Sequence, residues 1–119
     1  MLPIVFFDAC LTGTLDLYIG GFHVPGFAWS IVKKSDGGTI ASIGSTRVAY
    51  ASVINNNIQA GAPRLNANFF ENYHKEATLS ELFVGAQNDY LNYCWKDCLT
   101  LEEFYLIGDP SLKIGGYQS

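Results

Sequence analysis

Apolar positions in this chain fall into short unbroken runs and longer helical stripes. The first run, Ile4-Val5-Phe6-Phe7, ends at Asp8-Ala9-Cys10, and residues 3–9 read as a strand covered on both faces, as in a parallel sheet. Residues 11–26 hold Gly13, Gly20, Gly21 and Gly26 and read as a loop. Pro25 then opens a helical pattern with Phe27, Ala28, Ile31 and Val32 on one face, and Lys33-Lys34 suit its C-terminal end. Ser35-Asp36-Gly37-Gly38 turns the chain into a second strand over 39–44. Ser45 to Ala62 is small, polar and asparagine-rich, and reads as a long loop around Asn55-Asn56-Asn57. Leu65, Phe69, Phe70 and Tyr73 return to helical spacing. Thr78-Leu79-Ser80-Glu81 fits a capping box, predicting a helix to about Tyr93 with Leu79, Leu82, Phe83, Ala86 and Tyr90 on its buried face. Phe104 to Ile107 is a third strand, broken by Gly108-Asp109-Pro110-Ser111.

Strands alternating with helices predict an α/β fold with a parallel sheet and right-handed crossovers. At 119 residues the chain is expected to form one domain with a core of its own. Only 15% of residues are charged, against about 25% in ordinary soluble domains, while 49% are apolar. Such a chain hides much of its surface, in its own core or against a partner. The net charge is −4, and its seven Lys and Arg are scattered, which argues against nucleic acid. No apolar run nears the roughly 20 residues that span a bilayer, and no basic segment precedes the first run as in a signal peptide. Three cysteines, with Cys94 and Cys98 four apart and Cys10 remote, do not suggest a disulfide framework. Cys94-Trp95-Lys96-Asp97-Cys98 lacks the second ligand pair that zinc needs, so no metal site and no cofactor are expected.

Cys10 is the first chemical candidate. It closes a buried strand, and in open α/β sheets ligands sit outside the carboxyl ends of strands. A thiol there serves as a nucleophile if a base stands by; otherwise it is an inert buried cysteine. A redox role would need a second thiol nearby, and the sequence places none beside it.

The segment Phe6-Phe7-Asp8-Ala9-Cys10-Leu11-Thr12-Gly13 resembles the nucleophile strand of gingipain-type cysteine peptidases, peptidase family C25. Gly38 to Thr46 is similar to that family's next core strand and pocket loop, and Phe104 to Leu112 to its closing strand and Gly-Asp-Pro-Ser-Leu turn. The three blocks come in the family's order. The resemblance implies a caspase-like fold, three layers α-β-α around a mainly parallel sheet, here truncated on its N-terminal side. It implies Cys10 as the nucleophile, with its N–H in the oxyanion hole. Ser45, Thr46, Arg47 and Tyr50 then belong to the pocket for the substrate residue before the cut. Tyr50 is its aromatic wall or an ordinary packing residue, and a cation at Arg47 would favour acidic substrate residues. Gly108 to Leu112 closes the sheet edge. The partner is a peptide or protein, and the parent protein would be secreted or on the cell surface.

The family's general base is a histidine in a His-Gly pair N-terminal to the nucleophile, and Met1 to Pro3 hold no such pair. The chain therefore reads as the C-terminal part of a catalytic domain, inactive alone. Its first strand would be left with an open edge, favouring a homo-oligomer or pairing with the missing part. A non-catalytic assembly module that keeps the fold is the alternative. His23 is either a base brought in by its loop or an exposed loop residue, and His74 reads as a helix-end cation. Asp97, Glu102 and Glu103 read as a solvated face, and Trp29 and Trp95 as core anchors.

Overall fold

The computed structural model describes residues 2–115. They form β1 (Ile4–Phe6), β2 (Tyr18–Ile19), β3 (Phe22–His23), α1 (Phe27–Lys33), β4 (Ala41–Ser45), β5 (Ala51–Ile54), β6 (Asn57–Gly61), α2 (Ala62–Glu71), α3 (Leu79–Tyr93), α4 (Cys98–Glu103) and β7 (Phe104–Ile107). Two compact units are distinguished. The first comprises residues 1–49 and 102–108, and the second residues 50–101 and 109–119.

The first unit is built on a three-stranded sheet in the order β1-β4-β7. β4 is its centre, and all five of its residues are buried. β1 runs parallel to it with Val5 opposite Ser42, and the ladder extends from Ile40 N–H on Pro3 O to Phe7 N–H on Ile43 O. The strand expected over 3–9 is thus shorter, and as an edge strand it is only half-buried. β7 pairs antiparallel to β4, with Ile43 opposite Leu106, so the sheet is mixed rather than uniformly parallel. A four-residue apolar run looks the same in either direction, and only pairing decides it.

On the face of β4 that meets α1, the residues Ser42 and Gly44 are small because the helix lies close. A Cβ on Gly44 would stand 2.9 Å from the Ala28 Cβ and 3.1 Å from Gly13 N. Ser42 Oγ donates to Ala28 O at 2.8 Å, so even the buried hydroxyl is satisfied by the helix. α1 itself buries Ala28 but exposes Phe27 and Trp29, so Trp29 is not the core anchor expected of it. Residues 11–26 hold the β2–β3 hairpin, which the sequence reading passes over. Gly20 and Gly21, at φ 58° and 82°, form its two-residue turn.

In the second unit, α2 packs against α3. Leu65 and Phe69 on α2, and Leu79, Leu82, Ala86 and Tyr90 on α3, are buried, as the helical spacing predicts, but Phe83 is half-buried, Phe70 is exposed, and Tyr73 is exposed beyond the end of α2. The capping box forms: Thr78 Oγ1 accepts from Glu81 N–H, and the Glu81 carboxylate accepts from Thr78 N–H at 2.8 Å. Leu79 and Ser80 N–H, two donors of α3's open first turn, bond to Leu112 O and Pro110 O. The Asp-Pro-Ser-Leu part of the turn after β7 thus caps α3. The expected long loop 45–62 instead contains the β5–β6 hairpin, turning at Asn55 and Asn56 with φ of 50° and 62°. Asparagine tolerates this left-handed conformation, so the residues read as loop centre are a tight turn.

Candidate active site

In the first unit, chemistry gathers where β1 and its parallel neighbour β4 both end. Past Phe7 the chain leaves the ladder, and residues 9–13 bend over the end of β4. Leu11 N–H bonds to Arg47 O at 3.0 Å and Gly13 N–H to Ser45 O at 2.8 Å. The bend is close: a Cβ on Gly13 would lie 2.8 Å from the Tyr105 ring and 3.0 Å from the Gly44 backbone. Tyr105 OH donates to Gly13 O at 2.7 Å and fixes it from the β7 side. Burial holds the Tyr105 hydroxyl's pKa above that of an ordinary tyrosine.

Cys10 is exposed at the apex of this bend, not buried in the core. Its Sγ receives the Ala49 N–H at 3.3 Å and faces Ala49 O at 3.5 Å. Leu11, immediately after it, has a φ of 59° despite its side chain. This conformation costs on the order of 1 kcal/mol and persists only where its surroundings over-determine it. Here its N–H is held by Arg47 O, and its O accepts from Thr14 Oγ1 at 2.8 Å. Strain next to an exposed thiol beyond a strand's carboxyl end is an arrangement met at active sites.

Residues 45–49 lie against the Cys10 bend, and their side chains do different work. Ser45 is buried, with its Oγ donating to Arg47 O at 2.8 Å. Thr46 Oγ1 donates to Glu103 O at 3.2 Å, and Thr46 N–H to the same oxygen at 2.9 Å. Arg47 grips Asp16 with two parallel bonds of 3.0 and 2.9 Å. This fork holds the Asp16 carboxyl below the usual carboxylate range, through its hydrogen bonds first and its charge second. Arg47 is thus an exposed cation paired with Asp16. Tyr50 belongs to the second unit, exposed at the mouth of the β5–β6 hairpin. His23 lies in β3, where its Nε2–H donates to Leu15 O at 2.6 Å. Among the described residues no histidine bonds to the Cys10 sulfur.

The second unit holds a polar cluster that the sequence reading missed. Tyr90 is buried; its OH donates to Asp97 Oδ2 at 2.5 Å and accepts the Gly61 N–H at 2.7 Å. Thr100 N–H and Oγ1 complete the carboxylate at 3.3 and 2.7 Å. Burial first, and the adjacent carboxylate second, hold the Tyr90 pKa well above that of a free tyrosine. For Asp97, burial works upward, but the bonds from Tyr90 and Thr100 outweigh it and hold the acid below its ordinary value. Asp97 is therefore the N-cap of α4 and a half-buried anchor, not part of a solvated face. The signal available in sequence was an aspartate three before Thr100, ahead of a short apolar stretch. Trp95, beside it, is 69% exposed and so not a core anchor. No group of three or more metal-ligating side chains occurs among the described residues.

A mixed α/β unit with an exposed cysteine in the bend after its parallel edge strand is of a class met among cysteine peptidases. Comparison with family models makes the assignment specific: peptidase family C25 matches residues 1–115, nearly the whole chain. The protein belongs to peptidase family C25. Comparison with the curated proteins and with the solved structures gave no match.

Proposed function

We propose that the chain carries the nucleophile of a gingipain-type cysteine endopeptidase, Cys10, within a caspase-like three-layer domain to which both of its units belong. The observation that carries this is the exposed Cys10 Sγ in the bend after β1, against Ala49 and next to a strained Leu11. In this reading Sγ attacks the scissile carbonyl carbon, and the carbonyl oxygen takes up the negative charge. The Cys10 N–H, bonded to no acceptor among the described residues, donates to that oxygen. The C–N bond then breaks, the amine leaves with a proton, and the thioester is hydrolysed by water. In this reading a histidine serves as the base that takes the thiol proton and returns it to the amine. Among the described residues the Cys10 sulfur bonds only to Ala49 backbone groups, and His23 is turned to Leu15.

A peptidyl chloromethyl ketone tests the nucleophile, with free imidazole supplied as an external base. Labelling concentrated at Cys10, with Cys98, also exposed, as the internal control, is the expected result. Equal labelling of both cysteines, with and without imidazole, overturns it. The chain alone is expected to hydrolyse peptides negligibly. Turnover that disappears in Cys10→Ala would show that the base lies within the chain.

One observation favours an assembly module as the second reading. Leu15, Leu17, Tyr18, Ile19, Phe22 and Phe27 are all exposed within one short stretch. Apolar surface of this kind marks interaction sites, and β1 is an edge strand. Self-association seen by light scattering supports this reading; a clean monomer at high concentration removes it.

A further inference from the structure

The pairing of Arg47 with Asp16 leaves open which cations of this protein are available to a ligand. In the second unit two basic side chains lie over exposed aromatic rings. The Arg64 guanidinium carbon is 4.4 Å from the centre of the Tyr93 ring, and Lys96 Nζ is 4.8 Å from that of Trp95. Neither cation meets a carboxylate among the described residues, and Arg64 Nε is buried without an acceptor. Tyr93, Trp95 and Lys96 line a hollow of about 410 Å³. A second hollow of about 280 Å³ is lined by Tyr50, Gly61 and Leu99. Ala60 and Asp97 line both, so the two adjoin. Asp97 is the acidic residue lining them, and its two oxygens are taken by Tyr90 and Thr100.

We propose that this groove binds an extended peptide carrying an aspartate or glutamate. The acidic side chain lies at the Tyr93–Trp95 end and an apolar side chain lies against Tyr50 and Leu99. The argument is charge complementarity combined with shape. A guanidinium stacked on a ring keeps its outer N–H groups free for a carboxylate fork. Stacking also holds both cations in place before the ligand arrives, which reduces the ordering cost of binding. Two adjoining apolar hollows suit successive side chains of one chain better than one compact molecule. Tyr, Trp and Arg are the residue types that dominate peptide and protein recognition energetics. The proposal rests on the peptidase-family reading only in taking the ligand to be a peptide. It does not involve Cys10.

The test uses the full chain with Trp29→Phe, so that Trp95 is the sole tryptophan, and follows its fluorescence on titration. The probes are a blocked tetrapeptide Leu-Ala-Asp-Ala, its Asn counterpart, and a blocked single aspartate. The Asp peptide is expected to bind about tenfold more tightly than the Asn peptide at low salt, as for a charge-assisted contact. That advantage is expected to shrink as salt rises, and to vanish in an Arg64→Gln, Lys96→Gln variant whose circular dichroism is unchanged. Equal binding of the Asp and Asn peptides overturns the proposal. So does an advantage that survives in the double variant, or no response of Trp95 at millimolar peptide. Single aspartate binding as well as the tetrapeptide overturns the peptide assignment. All of these titrations can be run in Cys10→Ala, so their failure is distinct from failure of the nucleophile.

Discussion

The end of β4 and the cluster around Asp97 are both polar sites, but opposite materials hold them. Around Cys10 the geometry is set by backbone. Leu11, Gly13, Ser45, Arg47 and Ala49 bond through main-chain atoms, and two glycines let one segment lie on another. Around Asp97 it is set by side chains, with Tyr90, Thr100 and the carboxylate bonded to one another. A site of the first kind is sensitive to added volume and insensitive to charge. A site of the second kind is sensitive to the loss of one polar atom and to pH.

The largest expected effect follows from crowding the first site. Gly44→Val places carbon against Ala28 and Gly13 N and is expected to cost about 3 kcal/mol, the upper range for overpacking. Chemical denaturation measures it, and a loss below about 1 kcal/mol would show that α1 can move off β4. Next comes Asp97→Ala, which strips Tyr90 OH and Thr100 of their shared acceptor. About 2 kcal/mol is expected, less than for a fully buried charge because Asp97 is partly solvated. Tyr90→Phe keeps the ring and loses the hydroxyl, for about 1 kcal/mol. An unchanged midpoint in Tyr90→Phe would break the contrast between the two sites.

The pH dependence sharpens it further. Asp97 has a lowered pKa in the fold, so its contribution is complete above the unfolded carboxyl value, about 4. It is lost as pH falls from there through the folded value. Tyr90 has a raised pKa, so its contribution is complete below about 10 and is lost as pH rises beyond that. Melting curves should show both limbs flattened in a Tyr90→Phe, Asp97→Asn variant. A wild type with no alkaline limb would contradict the role given to Tyr90. The smallest effect is expected at Asp16→Asn. The Asp16–Arg47 pair is exposed, so the melting temperature should not move measurably. Since Arg47 touches the Cys10 bend through its carbonyl rather than its guanidinium, Cys10 labelling should be unchanged too.

Local chemistry made α3 legible in full: Thr78 and Glu81 mark its start and the Leu79–Tyr90 stripe its buried face. That Cys10 follows a strand was legible for the same reason, since a short apolar run followed by a glycine-bearing turn is a local pattern, but the strand stops at Phe6 and Cys10 lies in the bend beyond it. Both hairpins were missed because the positive-φ turns at Gly20-Gly21 and Asn55-Asn56 join exposed, weakly alternating residues. Burial gives such strands no periodicity to read. The two tryptophans were misplaced because residue type states a preference for burial, not a position.

The sequence by itself determined the helices with caps and stripes, the three apolar strands, the candidate thiol and, through its motifs, the family. Those features rest on neighbours a few residues apart. Only the tertiary structure decided that β7 runs antiparallel and that Arg47 pairs with Asp16. It alone placed Ala49 against Cys10 and joined Tyr90 to Asp97 and Gly61. Each of these is a choice of partner at a distance, and direction, pairing and charge compensation exist only once the partner is in place.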